Sequence, residues 1–192
     1  MKKIDVTILG NERGLLMNNP VGMTMGVTLD AKAIKVKGAR DIGTPRQEAE
    51  KLAYWTTNPK NKKKELYIPS EFILRSMINA SSFQKIGKAS AKTILAGSVF
   101  INPDKILLGT DQYEIDIRTV VIQRMRVVKA RPQISNWKAS FVIDYNEDMV
   151  GNPDVLFDIL TQAGQRVGVG DFRPQRSGSF GTFVIEKWVP QK

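Results

Sequence analysis

Few residue types in this chain are equipped for chemistry: arginines and lysines in clusters, two groups of carboxylates and one glycine-rich stretch, with no His and no Cys anywhere. Without thiols there are no disulfides, zinc thiolate sites, iron–sulfur clusters or thiol nucleophiles. Without imidazole the commonest general base near neutral pH is missing, and so is any Ser–His–Asp triad. Catalysis would have to use a carboxylate-held metal, a lysine or a Ser–Lys pair. The carboxylates group as Asp111, Glu114 and Asp116, and as Asp144, Glu147 and Asp148. Neither group has calcium-loop spacing, with its central Gly and terminal Glu. Acidic residues between strands are ordinary turn formers, so the chain reads as non-catalytic, with no cofactor and no metal. A metal-dependent nuclease built on these carboxylates is the alternative.

The basic residues are more informative. They give a formal net charge of +10, and much of it is clustered. Arg118, Arg124, Arg126, Lys129, Arg131 and Lys138 fall in a segment, 118–138, that contains no Asp or Glu. Read as a strand, it puts Arg124 and Arg126 on one face, about 6.5–7 Å apart, with Val121, Met125 and Val127 on the other. That spacing suits an extended phosphate backbone; the plainer reading is a solvated strand whose cations protect a sheet edge. Lys60, Lys62, Lys63 and Lys64 form a second cluster, whose mutual repulsion favours an exposed loop. Such a loop can follow a phosphate backbone or simply aid solubility. Lys88, between Lys85 and Lys92, joins the candidate contacts.

The third cluster is Gly168–Gly181. Its glycines would let backbone approach a ligand, Arg173 and Arg176 add charge, and Phe172 and Phe180 could stack on bases, the plainer reading being aromatics that fill the core, Phe180 above all. It lacks the Gly-Lys-Ser/Thr ending of a Walker loop, and it leads from helix to strand, the reverse of a dinucleotide fingerprint.

Positioning these groups requires a fold. Ile4, Val6 and Ile8 alternate as in a first strand, and 10–26 reads as a loop. Thr44-Pro45 opens a helix, with Glu48 expected to close a capping box. Ser70 is expected to cap a second helix over 71–82, apolar nearly all round. Strands follow near 98–101 and 105–108. A long strand over 115–129 is expected to pair with 137–145 through the turn at 130–133. Asn152-Pro153 starts a third helix, stopped at Gly164, and a last strand covers 182–189. The order of elements implies an α+β fold, an antiparallel sheet with helices on one face. No apolar run nears the roughly 20 residues needed to span a bilayer, and no signal-length apolar stretch follows Met1-Lys2-Lys3. A cytoplasmic protein without a membrane partner is expected.

Tyr67-Ile68-Pro69-Ser70-Glu71-Phe72-Ile73-Leu74-Arg75 resembles the Ile-Pro-Gly-Ser-Ser-Leu-x-Gly-x-Arg helix entry of RAMP proteins, the RNA-recognition-motif-like (RRM-like) backbone subunits of CRISPR effector complexes. Glu71 stands where that family has Ser, and Ile73 and Leu74 replace small residues. Gly168–Gly181 resembles the glycine-rich loop that precedes the family's last strand. The resemblance implies a ferredoxin-like, RRM-like domain over 1–192 with an extended β-hairpin or loop arm, inserted around 57–66 or 118–138. It also implies head-to-tail oligomerisation along the ligand. Some members cleave RNA with a loop Asp, a role in which Asp30 or Asp41 could be cast. A compact or virus-borne relative fits the length.

The expected function is binding of single-stranded nucleic acid, RNA foremost, by a homo-oligomer or a subunit of a ribonucleoprotein. Lys60, Lys62, Lys63, Lys64, Lys88, Arg124, Arg126, Arg131, Phe172, Arg173 and Arg176 are the expected contacts. Besides the nuclease, the other alternative is a viral structural or inhibitory protein whose basic face binds an acidic partner.

Overall fold

Ile4, Val6 and Ile8 bury one side of β1 (Lys2–Gly10), the expected first strand. The computed structural model describes residues 1–20, 44–122 and 124–191, so Asp30, Asp41 and the later part of the expected 10–26 loop lie outside the described residues. After β1 come β2 (Leu15–Leu16), α1 (Pro45–Leu52), β3 (Trp55–Thr57), β4 (Lys64–Pro69) and α2 (Ser70–Ala80). A small hairpin of β5 (Lys85–Ile86) and β6 (Ala89–Ser90) leads to α3 (Ala91–Ser98), β7 (Val99–Asn102) and β8 (Lys105–Leu107). The chain continues through β9 (Glu114–Ile122), β10 (Met125–Ile134) and β11 (Lys138–Tyr145) to α4 (Glu147–Val150) and α5 (Asp154–Gln162). The last strand is β12 (Phe183–Pro190).

The main sheet has the order β12-β1-β11-β7, antiparallel throughout. In chain order this is fourth, first, third, second, with α2 and α3 between the first pair of strands and α5 between the last. That is the ferredoxin-like β-α-β-β-α-β arrangement. Helices cover one face. Ile4, Val6, Ile8, Phe141 and Ile143 share a core with Ile73 and Met77 of α2 and with Leu156, Ile159 and Leu160 of α5. Fully burying each such side chain contributes about 1.5–3 kcal/mol. Trp188 of β12 meets Phe157 of α5 edge-on, ring centroids 5.3 Å apart. The opposite face of the central strands presents Asp5, Thr7, Ser140 and Asp144, with no aromatic side chain among them. Among the described residues no helix is long and apolar enough to cross a membrane.

The helix starts differ in detail from the sequence reading. Thr44 caps α1, but Gln47 closes the capping box, because it and not Glu48 is the third helical residue. Glu48 is left to accept the Ala130 amide of β10 at 3.1 Å. Ser70 makes no capping bond; it lies inside α2, and its amide donates to the Asp104 carbonyl. Asn152 accepts the Asp154 amide at 2.9 Å, but it stands one residue before the cap, which is Pro153. Gly164, however, does not end that helix: the chain winds on as a π-turn over Ala163–Val167 and leaves it at Gly168. Gly164 is needed for closeness, since a Cβ there would strike Phe183.

The largest correction concerns the basic segment. It is not one strand paired with 137–145 but a hairpin of its own, β9 against β10, reversing between Ile122 and Met125. Neighbours across it run from Met125–Ile122 to Gln133–Glu114. Arg124 occupies the reversal with φ +68°, so it and Arg126 do not form the regular same-face strand pair expected. The strand β11 joins the main sheet instead, beside β1.

Candidate nucleic-acid interface

The root of the β9–β10 hairpin is fastened to the glycine-rich stretch by charge. Arg131 and Asp116 face each other across the hairpin. The Arg131 side chain is only 3% exposed and binds Asp171 at 2.8 Å and Asp116 at 3.5 Å. Arg118, next along that face, binds Asp116 at 2.6 Å. Its guanidinium also lies 4.8 Å from the Phe180 ring centre and 5.7 Å from that of Phe172, a cation–π contact on each. The two rings lean together at 6.2 Å. Opposite Arg118, Lys129 donates to the Asn18 side chain at 2.8 Å. Burial pushes the Lys129 pKa below the ordinary lysine value, with Arg131 adding to the effect and Asp171 opposing it.

The glycine-rich stretch is ordered by backbone bonds to the N-terminal segment. The Asp171 amide donates to Leu16, the Gly181 amide to Gly14, and the Val169 amide to the Gly181 carbonyl. Its glycines serve this self-packing. A Cβ at Gly181 would fall on the Val169 carbonyl, and one at Gly178 on that of Phe172. Close backbone approach is therefore used here by the chain on itself. Arg173 donates to the Gly170 carbonyl at 2.8 Å and to the Gln175 side chain, while Arg176 is exposed on a short 3-10 turn, Pro174–Arg176. Burial lowers the Arg173 pKa from the ordinary arginine value, and Arg176 lowers it further. Arg13 reaches the Ser179 hydroxyl from the N-terminal side at 3.3 Å.

The expected contacts thus fall at four places in the fold. Arg173, Arg176 and Phe172 gather at the hairpin root; Phe172 is half-buried between Arg118 and Phe180. Arg124 and Arg126 sit exposed at the hairpin's far end. Arg131 is at the root too, but its charge is inside, committed to two carboxylates. Lys60, Lys62 and Lys63 lie exposed in the turn between β3 and β4, which Asn58 and Asn61 fix by accepting the Lys60 and Lys63 amides. Lys64 is occupied: it binds Glu50 at 2.8 Å and lies 4.0 Å over the Trp55 ring. Lys88 is exposed in the β5–β6 turn.

Sequence reasoning did not assign Arg118 or Lys129 to the site, although both lie in the acid-free segment. Arg13 carried no signal, because Ser179 is 166 residues away. The carboxylate groups are dispersed: Asp116 is turned into the root, Asp144 accepts from Asn102 at 2.7 Å, and Glu147 is 3.7 Å from Lys2. Among the described residues no three metal-ligating side chains gather at one point.

No family model matches the sequence, and no curated protein matches it. Solved structures do. A chain from the cryo-EM structure of the Type III-B Cmr-beta bound to cognate target RNA superposes with a TM-score of 0.59 at 16% identity. The match covers 100% of this chain and 61% of that one, so this chain spans about three-fifths of its length. The likeness is one of fold. A chain from a CRISPR RNA-guided surveillance complex aligns over 95% of this chain and 66% of its own, at 10% identity and a TM-score of 0.39.

Proposed function

We propose that this protein binds single-stranded RNA through the surface where the hairpin root meets the glycine-rich stretch, as a RAMP-type subunit of a ribonucleoprotein. The carrying observation is that convergence. Arg118, Lys129, Arg173 and Arg176 are brought to one place, where the described carboxylates are Asp116, Asp171 and, beside Lys129, Glu48, and Asp116 is already spent on Arg131 and Arg118. The positive excess suits phosphates, whose binding releases condensed counterions. The fold it shares with a chain of an RNA-bound assembly supports the same reading. Arg131 then acts by holding the root to the loop, not by touching phosphate.

The hairpin is the arm in this reading. It carries Arg124 and Arg126 at its end and leaves Ile117, Val121 and Val128 exposed, at 55%, 69% and 61%. These three share a face by the strand pairing and would pack on the next subunit along the strand. Repetition of such a heterologous contact gives a filament.

Fluorescence anisotropy with a labelled 30-nucleotide single strand tests the site. RNA should bind with micromolar or better affinity, weakening steeply with salt, and the Arg173→Ala/Arg176→Ala double variant should bind at least tenfold more weakly. An unchanged double variant would remove the glycine-rich stretch from the interface. Strand scission in Mg²⁺ or Mn²⁺, abolished by one Asp→Ala change, would favour the nuclease instead.

A further inference from the structure

Phe83 is fully exposed at 101%, as no other described large apolar side chain is. The backbone that carries it is nevertheless held by hydrogen bonds. Phe83 ends a single 3-10 turn, Ser81–Phe83, that continues α2, and the Ser81 and Ser82 hydroxyls donate to the Ile78 and Asn79 carbonyls. Immediately after it, the Gln84 carbonyl accepts the Ala91 amide and closes the β5–β6 hairpin.

The flanking sequence is basic and free of acids. Lys85, Lys88 and Lys92 are exposed and form no ion pair with a described residue. From Phe72 to Pro103 the sequence contains no Asp or Glu. The knob also adjoins the glycine-rich stretch. Asn79 in the last turn of α2 donates to Gln175 at 3.4 Å, and Gln175 sits between Arg173 and Arg176 in sequence. Four residues of helical backbone, about 6–8 Å, separate Asn79 from Phe83.

We propose that Phe83 is a base-stacking platform, taking one nucleobase of a single-stranded RNA whose phosphates lie against Lys85, Lys88 and Arg176. It extends the interface proposed above and depends on that interface existing. A protein partner fits less well. One ring buries about 150–250 Å², far below the 1,200 Å² or so of a stable protein interface, whereas a single ring is enough for a single base. The lysines would repel an identical knob on a second copy.

The test is anisotropy with a labelled single-stranded RNA for the wild type and for Phe83→Ala, Phe83→Leu and Phe83→Trp, with ultraviolet cross-linking of the wild type mapped by mass spectrometry. Phe83→Ala and Phe83→Leu should each lose about five- to a hundredfold in affinity. Phe83→Trp should bind at least as well as wild type, and the cross-link should map to Phe83. Wild-type affinity in Phe83→Leu would overturn the platform, as would an unchanged Phe83→Ala while the wild type binds. Loss of self-association in Phe83→Ala without RNA would also overturn it, in favour of a protein contact. Failure of the wild type to bind any RNA would overturn the whole interface and the platform with it.

Discussion

Arg131 and Asp171, 40 residues apart in sequence, meet at 2.8 Å beneath the hairpin root, and the guanidinium so fixed is nearly inaccessible to water. A charge removed from water this completely has to be matched. Asp171 and Asp116 match it, and in doing so set where the hairpin leaves the fold.

Arg131→Met should therefore destabilise the protein by about 3 kcal/mol, since it leaves the buried Asp116 with Arg118 alone. Urea denaturation measures this as a lower midpoint at unchanged slope. A variant as stable as wild type would show that the pair does not hold the root.

The glycines can be tested against one another. Gly181→Ala forces a Cβ onto the Val169 carbonyl from a backbone with φ +69°, and should lower stability by about 2 kcal/mol or more. Gly97→Ala meets open space in the last turn of α3 and should be neutral or raise stability by up to about 1 kcal/mol. Thermal unfolding of both variants separates packing glycines from incidental ones.

Salt dependence should sort the cations. For a single strand, each phosphate contact contributes about 0.7 to the slope of log affinity against log salt. Arg124→Ala/Arg126→Ala should reduce that slope by about 1.4 if both residues touch phosphate. Lys64→Ala should leave it unchanged, because Lys64 is held by Glu50 and Trp55.

Tyr113 offers a pH test. Burial, with the bond it donates to Glu50 at 2.7 Å, pushes its pKa up to about 12. A raised folded-state pKa contributes stability that is complete below pH 10 and lost between 10 and 12. Burial also pushes Glu50 up, but its bonds from Lys64 and Tyr113 outweigh that and leave it below the usual carboxylate value. Its stabilisation is therefore present above about pH 4.5 and fades as pH falls through the lowered value. In Glu50→Gln, tyrosinate absorbance should show one tyrosine titrating closer to 10, and the acid-side loss should shrink by less than about 1 kcal/mol because Glu50 is largely exposed.

What could be read from the sequence was whatever had a local cause. Ile4, Val6 and Ile8 mark a strand by alternation alone, and Thr44-Pro45 marks a helix start by the chemistry of its cap. The reversal between Ile122 and Met125 was illegible because the sequence there has neither Asn-Gly nor Asp-Gly, and β-branched residues run up to it from Thr119 to Ile122. The helix α3 was hidden in an Ala, Ser and Gly composition that looks like a loop. The site divides in the same way. Arg173 and Arg176 stand out beside their glycines, while Arg131 looked like a surface cation because its partner Asp171 lies in another element. Phe83 gave no signal, since nothing local distinguishes a fully exposed Phe from a core one.

The bonds joining Gly14 and Leu16 to Gly181 and Asp171 have a consequence for biosynthesis. The amide and carbonyl that meet at Asp171 and Leu16 are made 155 residues apart, about 8–30 s of translation. Until the later stretch has left the ribosome, Leu16 can pair with Gln133 of β10 but lacks Asp171, and the Arg13 side chain lacks Ser179. The growing chain is then basic yet has no assembled grip, so a polypeptide emerging beside its own messenger is expected to hold it only loosely. The ordered surface appears only in molecules that have brought residues 13–16 together with residues 171–181.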